Sequence, residues 1–128
     1  MNYLLDTHLL IWVATRNPKL SKRAAAIIAD RENNLWFSTA SIWETAIKSA
    51  LGRPDFPFDA GILRAGLLAN GYEEVAIEGR HAVVYQDLPA LHRDPFDRML
   101  VAQALSEGMK LLTADNEVAA YGAPVVLV

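Results

Sequence analysis

Residues 2–13 read NYLLDTHLLIWV, and the change of pattern at Asp6 decides how the rest of the chain is read. Up to Leu5 the segment is short and apolar, the length of a strand. Beyond Asp6 the apolar residues Leu9, Leu10 and Val13 follow a helical pattern. A strand that turns into a helix predicts an α/β fold if the alternation recurs along the chain.

It recurs. Ser21 stands before the alanine-rich KRAAAIIADRE as an N-cap, and Leu35 to Phe37 form the next short apolar strand. STASIWETAIKSALG, residues 38–52, opens on hydroxyl residues and closes on glycine, the punctuation of a capped helix. After the loop-like GRPDFPFD, the stretch FDAGILRAGLLANG predicts a helix ending at Gly71, Glu74 to Ile77 a third strand, and HAVVYQDL a short helix before Pro89. FDRMLVAQALSE predicts a mostly buried helix stopped by Gly108, with KLLT (110–113) a fourth strand and PVVLV (124–128) a fifth. Strands that are continuously apolar and alternate with helices predict a five-stranded parallel sheet covered on both faces.

At 128 residues, with 52% hydrophobic residues and a mean hydropathy of +0.14, the chain is expected to form one domain, residues 1–128, with a sizeable core. It has no cysteine, which excludes disulfides, thiolate catalysis and cysteine-held metals. The apolar start lacks a basic lead and carries Asp6 inside it, so neither a signal peptide nor a membrane span is expected, and the cytoplasm is the expected compartment. A net charge of −3 argues against a protein that merely coats nucleic acid; it does not argue against one that reaches phosphates through a bound cation.

In a parallel sheet, ligands bind where the strands end. Asp6 ends the first strand, Glu44 lies in the early turns of the helix after the second, Asp97 opens the helix that leads to the fourth, and Asp115 follows the fourth. Each has a plainer reading: Asp6 as a cap for the next helix, Glu44 as the partner of Ser41 in a capping box, Asp115 as an Asx turn. Gathered in space, four carboxylates repel one another, and a divalent cation relieves that repulsion. Hard oxygen donors suit Mg2+ or Mn2+, with Thr113 as a possible hydroxyl contributor. The histidines His8, His81 and His92 are too scattered in sequence to predict a zinc triad.

The segment HRDPFDRML, residues 92–100, holds two of the acids three positions apart. Pro95 is favoured at the first helical position, which makes Asp94 the N-cap, with a possible accessory part at the metal, and sets Asp97 in the first turn. Trp12, Trp36 and Trp43 stand in apolar contexts that predict core packing or, for Trp12 and Trp43, an interface rather than base stacking.

Taken together, LLDTHLLIW, STASIWETAIK, HRDPFDRMLVAQA and LLTADNEVAAYG resemble the PIN domain, and in particular the VapC-type ribonuclease toxins of bacterial toxin–antitoxin pairs. The resemblance runs from the first strand to the C-terminus. It implies a three-layer fold with a five-stranded parallel sheet and an acidic metal site at Asp6, Glu44, Asp97 and Asp115. It further implies Mg2+ or Mn2+ dependence, RNA as substrate, a cognate antitoxin and a homodimer. Lys48, Arg53, Arg93 and Arg98 are then the nearest candidates for RNA backbone contacts, each with the alternative of a solvated surface cation. Rival readings are a PIN-fold domain that only binds partners and a general nuclease outside any toxin pair. An aspartate-nucleophile phosphatase would need an acid where His8 stands in DTH.

Overall fold

The computed structural model describes residues 1–128. In chain order the elements are β1 (Asn2–Leu5), α1 (Thr7–Thr15), α2 (Lys22–Ala29), β2 (Asn34–Ser38), α3 (Thr39–Ala50), α4 (Ala60–Ala69), β3 (Glu73–Val75), α5 (Gly79–Gln86), α6 (Pro95–Glu107), β4 (Lys110–Thr113), α7 (Asn116–Ala119) and β5 (Val125–Leu127). The five strands form one parallel sheet in the order β3-β2-β1-β4-β5. From β1 the chain builds outward through β2 to β3, then crosses back to add β4 and β5 on the other side. The strand order therefore reverses between β1 and β4, the place where open α/β sheets bind ligands.

Successive strand residues point to opposite faces, and the two central strands use both. Leu5 and Leu112 enter one core with Leu9, Leu10, Phe37, Leu63 and Leu67, beneath α1 and α4. Leu4 and Leu111 enter the other with Leu100, Val101, Ala104 and Val118, beneath α6 and α7. Three layers result, and they explain why β1 and β4 read as unbroken apolar runs. No helix is long and apolar enough to cross a membrane.

Ser21 and Asp94 cap α2 and α6 as the sequence predicts, and Asp59 caps α4; each accepts backbone N–H groups of the first turn. Three expectations need correction. The third strand is Glu73–Val75 rather than Glu74 to Ile77: Glu73 pairs with Trp36, while the Ile77 N–H leaves the ladder and donates to Thr39 Oγ1. Helix α5 begins at Gly79 and ends at Gln86, two residues earlier than HAVVYQDL suggests at each end, because the buried His81 accepts the Glu78 N–H at Nδ1 and closes the first turn. The cap of α3 is Ser38, whose Oγ accepts the Ala40 N–H; Ser41 lies inside the helix and forms no capping box with Glu44. Helix α7, of only four residues, has no counterpart in the sequence reading.

Candidate active site

Asp6 ends β1 at the reversal point and is buried. Its Oδ1 accepts the Leu9 N–H at 2.9 Å, so the capping reading holds, and its Oδ2 accepts the hydroxyl of Thr113 at 2.5 Å. Thr113 is the last residue of β4, and its oxygen also accepts the Asp115 N–H at 3.0 Å. One buried hydroxyl thus ties the ends of the two central strands together. Burial pushes the Asp6 carboxyl above the usual carboxylate range, against the opposing pull of the Thr113 and Leu9 hydrogen bonds.

Glu44 projects from α3 and is almost wholly buried. Thr7 Oγ1 lies 2.7 Å from its Oε1 and 2.9 Å from Ser41 Oγ, so the Thr7 hydroxyl bridges the two. Lys48, one turn later, donates to Oε2 at 2.7 Å. The sequence reading did not single out Thr7, although its place directly after Asp6 was the available signal. Lys48, read as a candidate for RNA contact, is paired with Glu44 and lies over the Phe56 ring at 4.9 Å.

Asp97 sits in the first turn of α6, below a cap built as the sequence predicts: Asp94 Oδ1 accepts the N–H groups of Phe96 and Asp97 at 2.8 and 3.3 Å. Its carboxyl is pushed up to about 7, first by burial, then by the charge of Asp94, with smaller contributions from Asp6 and Glu44. The opposing hydrogen bond comes from His92, whose Nε2 is 2.8 Å from Asp97 Oδ2. Asp115 caps α7 by accepting the Glu117 N–H at 2.8 Å, and its Oδ2 lies 3.9 Å from His92 Nε2. His92, Asp97 and Asp115 form a group able to hold a metal ion, with ligand atoms within 4.8 Å of one another. Asp6 and Glu44 lie outside that tight group, yet near enough for their charges to act on Asp97. His92 was passed over in sequence because the three histidines are far apart; the useful signal was its position five residues before Asp97.

An open cleft of about 470 Å3 is walled by Asp6, His8, Trp12, Asp115 and Glu117. Trp12 is half-buried against the α1 core, and Trp36 donates from its indole to Asn2 Oδ1 at 3.3 Å. Trp43 is 59% exposed and meets Phe96 edge-on at 5.2 Å, beside an apolar hollow that includes Tyr85 and Met99. Of the other cations, Arg53 pairs with Asp55 at 2.8 Å. Arg98 donates to the Pro89 carbonyl at 3.0 Å and the Tyr121 hydroxyl at 3.1 Å, and Arg93 stands exposed next to His92.

The PIN domain family model matches residues 3–124. No curated protein matches the chain at a significant level. Among solved structures, the chain is similar to one in VapBC2 from Rickettsia felis bound to a DNA fragment from their promoter, with a TM-score of 0.70 and 14% identity over 100% of this chain and 98% of that one. It is similar to one in VapBC-1 from nontypeable Haemophilus influenzae, with a TM-score of 0.67 and 19% identity over 100% and 97% of the two chains. For FitAcB from Neisseria gonorrhoeae the TM-score is 0.64 and the identity 17%, over 98% and 96%. At such identities the likeness speaks for the fold.

Proposed function

The chain belongs to the PIN domain family, and from that premise we propose that it is a Mg2+- or Mn2+-dependent endoribonuclease, the toxin component of a toxin–antitoxin pair. The observation that carries the reading is the gathering of acids where the central strands end: Asp97 and Asp115 with ligand atoms within 4.8 Å of each other and of His92, beside the buried Asp6 and Glu44 whose charges reach Asp97. Carboxylates so arranged fit a divalent cation, because they offer hard oxygen donors and only a positive charge between them lets all ionise together. When bound, such an ion supplies charge that lowers the pKa of an attacking water and polarises the scissile phosphate.

Asp6, Glu44 and Asp97 would hold the ion, and Asp115, at the mouth of the cleft, would orient the water. Thr113 contributes by fixing Asp6 rather than by offering a free oxygen, and Thr7 with Lys48 fixes Glu44 in the same way. Asp94 acts through the backbone of α6 and through its charge on Asp97. Among the cations proposed for RNA contact, Arg93 is exposed beside the site, and Arg53 is on a surface loop; Lys48 and Arg98 are engaged within the protein. A homodimer and an antitoxin, which the family resemblance implies, find support in two apolar surfaces, one around the exposed Trp43 and one around Ile62 between α1 and α4.

The test is cleavage of a mixed RNA pool by purified, partner-free protein with Mg2+, with Mn2+ and with chelator, followed by mapping of the ends. Metal-dependent cuts at defined sites are expected. Equal cleavage of DNA would favour a general nuclease, and no cleavage with either ion would overturn the reading.

A further inference from the structure

His92 is held more firmly than a surface histidine needs to be. Its loop, between α5 and α6, is gripped by Arg98, which donates to the carbonyls of Pro89 and Leu88, and it runs into the Asp94 cap of α6. The Arg93 backbone N–H points at Nδ1 at 3.0 Å. Glu117 Oε2 also lies 3.2 Å from that nitrogen, and the two contacts ask for opposite protonation. The backbone N–H is fixed by the chain, whereas Glu117 is 70% exposed and free to turn, so the backbone contact decides. The ring proton then belongs on Nε2, aimed at Asp97 Oδ2. Asp97 Oδ1 takes no hydrogen bond from the protein.

We propose that His92 is a positioning residue that pins Asp97 through Nε2–H and Oδ2, turning Oδ1 toward the ion. The inference rests on the metal site proposed above and adds the residue that sets its geometry. Outer partners of metal-holding carboxylates orient the ligand, and losing one commonly weakens metal affinity by about 10–100-fold. Glutamine can replace the donor, since its amide N–H reaches about as far as Nε2, whereas alanine cannot.

Mn2+ binding is measured on wild type, His92→Ala, His92→Gln and Asp97→Asn by the paramagnetic signal of the free ion, beside thermal melts in chelator and the Mg2+ dependence of cleavage. His92→Ala is expected to bind Mn2+ about tenfold or more weakly and to regain most of its kcat at saturating metal, while His92→Gln stays close to wild type. Unchanged Mn2+ affinity in His92→Ala would overturn the proposal and leave the metal site standing. So would a His92→Gln protein, folded by its melt, that binds as weakly as the alanine variant, because the ring nitrogen would then be a ligand itself. Wild type that binds no Mn2+, or Asp97→Asn that binds as wild type does, would overturn the site and this proposal with it.

Discussion

The acidic site has two sides that solve the same electrostatic problem differently. On the side built by β1 and α3, each carboxylate already has partners: Asp6 has Thr113 and the Leu9 N–H, Glu44 has Thr7 and Lys48. On the side built by α6 and α7, Asp97 has a single hydrogen bond, from His92, and a neighbouring acid in Asp94 that raises its pKa further. The first side is held by these bonds, although burial still keeps the Asp6 carboxyl above its usual range. The second holds charge that the protein does not neutralise, so it is there that an arriving cation has the most to gain.

Substituting one acid from each side should give opposite signs in stability. Asp97→Asn should remove metal-dependent cleavage and yet raise Tm in chelator, since a repelled carboxylate is gone. The effect depends on pH. In the folded chain Asp97 keeps its proton up to about 7, against a reference value of 3.8, so between those values the folded state binds more protons than the unfolded one. Wild-type stability without metal should therefore fall as pH rises from about 4 to about 7, by an amount on the order of 2 kcal/mol or more. Denaturation curves in chelator across that range should show the slope in wild type and a shallower one in Asp97→Asn, where the raised Asp6 carboxyl still contributes. Saturating Mg2+ should flatten it as well.

Glu44→Gln should lower stability by about 1–3 kcal/mol, because the half-buried Lys48 loses its counter-charge. If it instead stabilised as Asp97→Asn does, the two sides would not differ as described. Thr113→Val keeps the shape but leaves Asp6 Oδ2 and the Asp115 N–H without their shared partner, at a cost of about 1–2 kcal/mol by chemical denaturation. The smallest effect is expected at Asp94. Asp94→Ala should cost about 1 kcal/mol through the lost cap, partly offset by relief of Asp97, whereas Asp94→Asn keeps the cap and should be close to neutral in melts.

The contrast also explains what could be read in the sequence. Asp6, Asp97 and Asp115 were legible because each stands at an element boundary that local rules mark: an apolar run that stops, a proline that starts a helix, a strand that ends. The Asp94 cap was legible for the same reason. Glu44 lies on the helix after β2 as the sequence suggested, but its neighbourhood was misread, since the Ser41 spacing suggested a capping box while the chain uses Ser38. The partners Thr7 and Thr113 meet their acids only in three dimensions, across 37 and 107 positions of sequence. His92 escaped notice because the search was for several histidines together, whereas the fold uses one, against acids. The third strand was misplaced because nothing local shows that the Ile77 N–H prefers the Thr39 hydroxyl to a strand partner.

The hydrogen bond from Thr113 to Asp6 has a consequence in time. It joins residues 107 positions apart, and β1 stays without β4 until that much chain has been made. Contacts so distant in sequence form late, after long loops have closed, and synthesis proceeds at roughly 5–20 residues per second. For several seconds of each round of translation the emerging chain carries Asp6 without the strand that completes its surroundings. The acidic centre is thus among the last parts of the fold to come together.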